Sequence, residues 1–204
     1  MDFNFLLSHD ILSQSFAQLS DVSRNDSFGW HFQFLTIIGL SVATLTFSAG
    51  SLSDLLLSKP LFRLKNILSV IATPLAVLIS TLYWALRTIN KELVIPPGLR
   101  LPLLPDLGFH AIPTILLITD LLFLSPPWTI TILPATVLST VLAFAYWYWI
   151  EICYAKNGFY PYPLFNLLRW EQRVALFAGS AIMTAGTTIL LKGLYARVNG
   201  GVRR

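Results

Sequence analysis

Four stretches of this chain, residues 32–52, 66–86, 129–150 and 174–191, are apolar and carry no charge. A hydrocarbon core takes roughly 20 apolar residues to cross as a helix. Within it every backbone polar group must be bonded inside the segment, which selects helices. A shorter fifth stretch, residues 108–124, has the same character but holds two ionisable side chains, His110 and Asp120. The fold class expected is therefore all-α, a polytopic transmembrane bundle of five spans. Charged residues make up 12% of the chain, half of the roughly 25% found in soluble domains. That is too few to coat a water-facing globule of 204 residues.

Residues 1–27 read differently. Phe5, Leu12, Phe16 and Leu19 fall on one helical face with polar residues on the others, the pattern of an amphipathic surface helix or a degenerate sixth span. Asp2, the absence of early Lys or Arg, and the interruption by His9 and Asp10 argue against a signal peptide. The division expected is an N-terminal helix over 1–27, the bundle over 28–196 and a basic tail over 197–204. Cys153 is the only cysteine, so no internal disulfide forms.

Within the bundle, Pro74 and Pro134 predict kinks. The connection 87–107 holds Pro96, Pro97, Pro102 and Pro105 and should be extended. Ser125-Pro126-Pro127-Trp128 reads as a tight turn with an interfacial Trp, and Trp84, Trp147 and Trp149 as belt residues. Gly179, Ala181, Ala185 and Gly186 give the last span a small-residue packing surface. Net charge is +4, but the basic residues are spread through short loops, which suits topology signals and lipid headgroups better than nucleic acid. Lys and Arg divide seven and seven between the two faces. Clustering at Lys59, Arg63 and Lys65 and at Lys192, Arg197, Arg203 and Arg204 points to that second face being cytosolic.

An ionisable group at membrane depth is costly and marks a functional site by default. Thr36 lies about 9 Å into the first span and His110 about 6 Å into the third, taking Asp106 as the helix N-cap. The two spans run in the same direction, so both residues sit near one membrane face. A hydroxyl beside an imidazole suits acyl transfer, because His takes the proton that the hydroxyl must lose to attack. The bland alternatives are a Thr that bonds its own i−4 carbonyl and a His that bonds a loop carbonyl. Asp120 is about 15 Å further along and some 80° around the helix, so it does not orient His110. It packs in the bundle near the other face, protonated or bonded to the 53–65 loop.

Gln33, Tyr160 and Tyr162 are candidate oxyanion donors or substrate contacts. On composition alone the two tyrosines read as interfacial anchors. His9, His31 and His110 do not form a zinc set, and there is no phosphate-cradling glycine loop or GxSxG motif. No cofactor is expected.

Phe32-Gln33-Phe34-Leu35-Thr36, Leu52-Ser53-Asp54-Leu55, Asn90-Lys91-Glu92-Leu93-Val94-Ile95-Pro96, Gly108-Phe109-His110, Trp149-Ile150-Glu151 and Tyr162-Pro163 occur here in order. The series resembles the androgen-induced protein family, which includes the androgen-dependent TFPI-regulating protein, over about 29–195. The resemblance implies a multi-span membrane threonine hydrolase of the endomembrane system, at the endoplasmic reticulum or the plasma membrane. It would cleave fatty acid esters of hydroxy fatty acids, with Thr36 as nucleophile and His110 as general base. Its partners would be membrane lipids and the fatty acyl ester, with no nucleic acid. Two departures stand out: residues 1–27 are more polar than the family's preceding span, and the region of Glu151 differs from the His-rich counterpart of animal members. The rival expectation is a non-catalytic membrane protein that binds lipid or a partner protein. An ion-coupled transporter fits less well, because a relay needs more intramembrane ionisable groups.

Overall fold

The computed structural model describes residues 27–95 and 101–200. Among these residues the chain forms seven α-helices: α1 (Leu35–Leu56), α2 (Lys59–Ile89), α3 (Leu103–His110), α4 (Ile112–Leu124), α5 (Ile132–Asn157), α6 (Leu164–Leu167) and α7 (Trp170–Asn199). Short 3-10 turns occupy Trp30–Gln33 and Lys91–Leu93. Helices α1, α2, α5 and α7 are each long and apolar enough to cross a membrane, and α3 with α4, bent by 40°, is so only when the two are taken together. The expected N-terminal helix over 1–27 falls, but for Ser27, outside the described residues, and so does the end of the tail at 201–204.

Prolines set the helix boundaries, not always as the sequence suggests. The third span is not one helix over 108–124. It starts at Leu103, ends a segment at His110 and restarts at Ile112, because Pro113 sits in the first turn of α4. Its ring crowds the carbonyl four residues back and it has no N–H to donate. Pro134 makes no kink, since it falls in the first turn of α5, where no N–H is needed. Pro74 does lie inside α2. The connection 87–107 is helical at both ends rather than extended throughout, with α2 running to Ile89 and α3 starting at Leu103.

The α1–α2 link is only Leu57 and Ser58, with Leu57 in the left-handed region. Arg63 and Lys65 are thus helical, and the bases expected in a loop lie in the first two turns of α2. The hairpin closes tightly because a Cβ at Gly39 would meet Ile79 at 2.4 Å. Ala43, Ala72, Ala76 and Leu117 fill the seam, the small-residue packing that brings helices together in lipid. A second hairpin pairs α5 with α7, and α2 packs on both α4 and α7 to join the halves. Between α1 and α5 there is no comparable packing.

Helix α7 uses Ala181 and Ala185, both buried, in its packing face. Gly179 and Gly186 look into open space, so the small-residue surface is half the expected one. Trp128 is buried against Leu121 and Leu191. On the outside, Leu45, Ile67, Ile182 and Leu190 are each more than half exposed, as suits a lipid-facing surface. At the face opposite Thr36, Lys65 Nζ lies 2.7 Å from Asp120 Oδ2, and Ser125 Oγ donates to that oxygen at 2.9 Å. Asp120 therefore finds its partner in the 53–65 stretch, in a part of it that is helical.

Candidate active site

Thr36 is the second residue of α1, not a residue two turns inside it. The preceding turn, Trp30–Gln33, is 3-10, and Phe34 is extended. Gly29 makes this break possible: its φ is +83, and a Cβ there would meet Cys153 Sγ at 2.7 Å and Trp149 at 3.1 Å. The turn is bolted to α5, with Tyr146 donating to the Gln33 carbonyl at 2.8 Å and Trp149 to the Phe32 carbonyl at 2.9 Å. Phe32 is the i−4 partner that a helical Thr36 would use, and Trp149 has taken it. Thr46, Thr88, Thr119, Thr136 and Thr140 all bond their i−4 carbonyls; Thr36 does not.

The Thr36 side chain instead lies beside the Tyr162 hydroxyl, with the free first-turn amides of Leu35 and Thr36 close enough to lower its pKa. Those amides have no helical acceptor, as at any helix start. Burial pushes the Tyr162 hydroxyl above its ordinary pKa, against the opposing pull of Thr36 and the amides. It is a neutral donor at pH 7. Phe34 stacks edge-on against its ring, with centroids 5.7 Å apart.

Tyr160, the other tyrosine of the loop, does not line the Thr36 pocket. It donates to Glu151 at 2.8 Å and accepts from Arg173, whose Nη1 also reaches Glu151 at 3.0 Å. Burial first, then the bond to Glu151, raises its pKa to about 12. Trp147 donates to the same carboxylate at 2.9 Å, and Arg173 Nη2 to the Phe165 carbonyl at 2.8 Å. This network fixes the loop that carries Tyr162. Gln33 is buried, and its Nε2 already donates to Ser27 Oγ (2.6 Å) and to the Trp30 carbonyl (2.8 Å).

His110 closes α3. Its Nδ1 lies 3.1 Å from both the backbone carbonyl and Oδ1 of Asp106, one turn earlier. Both neighbours are acceptors, so Nδ1 carries the proton and Nε2 is left with its lone pair. Asp106 is not the N-cap: it lies inside α3, fully buried. Tyr83 donates to Oδ1 at 2.5 Å and Arg87 pairs with the same carboxylate. The Tyr83 ring stacks on His110, centroids 3.4 Å apart and planes within 4°. Trp84 donates to the His110 carbonyl at 3.3 Å, and it sits under Arg87. Sequence reasoning missed Asp106, Tyr83 and Arg87 as a set. The Asp106–His110 spacing of four was the available signal, hidden by reading Asp106 as a cap.

Thr36, Tyr83, Tyr146 and Tyr162 share the wall of one cavity of about 370 Å³ between α1, α2, α5 and α7. That is within the range of roughly 300–1,000 Å³ typical of ligand sites. His110 stands behind Tyr83, and no hydrogen bond joins it to Thr36. Thr36 and Tyr162 are thus together, His110 is one ring away, and Gln33 and Tyr160 serve the frame.

The family model for FAR-17a/AIG1-like proteins matches residues 1–196. This chain belongs to that family. The match takes in the polar N-terminal stretch that the motif series, starting at Gly29, leaves out. A curated relative is the UPF0641 membrane protein PJ4664.05 of Schizosaccharomyces pombe, 37% identical over 178 residues, covering 86% of this chain and 80% of that protein. No solved structure matches. Family membership makes this a membrane protein, in keeping with its long apolar helices.

Proposed function

We propose that this chain is a lipid-ester hydrolase of the endomembrane system, acting on fatty acid esters of hydroxy fatty acids through an acyl-threonine intermediate. The observation that carries the reading is the state of Thr36: its hydroxyl is not bonded to its i−4 carbonyl and sits by Tyr162 at the polar end of an apolar cavity.

In the proposed reaction Thr36 Oγ1 attacks the ester carbonyl carbon while its proton passes to His110 Nε2. Asp106 holds Nδ1–H, so the imidazole presents the correct nitrogen and its positive charge is met by a carboxylate. The tetrahedral oxyanion is stabilised by the Tyr162 hydroxyl and the amides of Leu35 and Thr36, donors already fixed before the charge develops. Collapse breaks the bond to the hydroxy acid, whose alkoxide takes the proton from His110. Water then adds to the acyl-threonine, giving its proton to His110 Nε2. Expulsion of Thr36, reprotonated by His110, releases the fatty acid. One ester and one water become one acid and one alcohol. Because the Tyr83 ring stands between them, Thr36 and His110 reach hydrogen-bond distance only if that ring moves aside when substrate seats.

The test is turnover of a palmitic acid ester of hydroxystearic acid by the purified protein. Thr36→Ala and His110→Ala should each lower kcat by at least about a thousandfold, as loss of a triad member does. Residual activity near wild type in both variants contradicts the mechanism. The second reading, lipid binding without turnover, draws on the absence of a Thr36–His110 bond in the free protein. It predicts tight ester binding and no product from the wild type.

A further inference from the structure

We infer that the cavity is an acyl-chain chamber, filled from the bilayer, that holds one chain along the bundle axis with its ester at Thr36 and its methyl end near Thr188. The placement of the ester rests on the hydrolase reading of Thr36; the chamber itself does not.

The polar groups of the cavity are segregated. Thr36, Tyr83, Tyr146 and Tyr162 lie at one end, at the start of α1, near the end of α2, in the second half of α5 and in the loop that follows it. The shaft beyond them is also lined by Ser139, Ser180, Thr184 and Thr188, which would make a wet floor if their hydroxyls pointed inward. They do not. Ser139 donates to the Ala135 carbonyl, Ser180 to Leu176 and Thr184 to Ser180, each at 2.8 Å, and Thr188 to Thr184 at 3.1 Å. A hydroxyl bonded to its own helix offers the cavity mostly its carbon side. Leu75, Leu78, Ile79 and Leu138 complete a wall that suits methylenes.

The shaft is also the right length. Its lining runs from Ala135 to Trp149 on α5 and from Leu176 to Thr188 on α7, about 21 Å and 18 Å at the helical rise. One leaflet of a bilayer, the depth filled by one lipid chain, is about 15 Å. A full-length membrane acyl chain fits with little to spare. Access follows from the packing: α1 lines only the polar end, through Leu35, Thr36 and Ile38, and α1 and α5 are not packed together below it. In this proposal the acyl chain enters by that flank, straight from the lipid.

The experiment uses full-length Thr36→Ala protein in detergent micelles and measures binding of methyl palmitate and methyl octanoate by native mass spectrometry. Ser139→Phe places a ring about 10 Å below Tyr146. It should weaken methyl palmitate about tenfold or more, the effect of overpacking a filled site, and leave methyl octanoate within about twofold. Ala135→Phe, lower by about one further turn, should penalise palmitate less and octanoate not at all, and serves if Ser139→Phe misfolds. Equal losses for both esters, or no change for either, would overturn the chamber. Length-selective binding beside a wild type that yields no product would support the chamber and remove the hydrolase reading alone.

Discussion

Asp106 carries more of the site than any residue whose type drew attention in the sequence. Its carboxylate is fully buried and takes Nδ1 of His110, the Tyr83 hydroxyl and Arg87 together. Replacing it with Asn keeps the shape but removes the charge that matches a protonated imidazole and allows the amide to favour the wrong tautomer. Asp106→Asn should lower kcat by about 10²–10⁴-fold with KM little changed, by analogy with triad carboxylates; a variant with unchanged kcat and pH profile would make Asp106 purely structural. His110 was legible as a candidate because an ionisable group stands out in an apolar run, whereas Thr36, one hydroxyl among many in the spans, was singled out by the family resemblance. Asp106 was not legible, because a carboxylate just after Pro105 has the signature of a cap. Choosing between cap and partner takes the location of the helix start, which local pattern places only to within a few residues.

At the level of elements, the spans themselves were readable, since their apolar length is dictated by the bilayer, whereas their ends and breaks were not. The third span illustrates the limit. Composition sees one apolar run, but Pro113 splits it and leaves His110 at a helix terminus. The same edge effect hid Lys65: counted as a loop base, it lies within α2, 3% exposed, paired to Asp120. This pair ties α2 to α4 at the face away from Thr36. Lys65→Ala should cost about 3–5 kcal/mol by stranding the Asp120 charge, whereas Lys65→Met with Asp120→Leu should be near neutral. Thermal unfolding of the single and double variants in detergent reads the difference. A double variant as unstable as the single one would mean that the pair contributes more than mutual neutralisation.

For the whole molecule, the account is of two helical hairpins joined through α2, with a slot left between α1 and α5 and a polar cap closing one end of it. The hairpin seams follow from small residues at Gly39, Ala43, Ala72 and Ala76. The cap follows from the break at Phe34, which frees the first amides of α1 and the hydroxyl of Thr36. No stretch of sequence announces such a cavity, because its walls come from four helices spread from Leu35 to Thr188.

The central claim is that Thr36 is an activated nucleophile. It is tested most directly by treating purified protein with a long-chain alkyl fluorophosphonate, wild type beside Thr36→Ala, and mapping the adduct by mass spectrometry. The account predicts a single phosphonylated site at Thr36, absent from the Thr36→Ala variant and strongly reduced in His110→Ala. An unlabelled Thr36 in protein that is folded and binds methyl palmitate would contradict it.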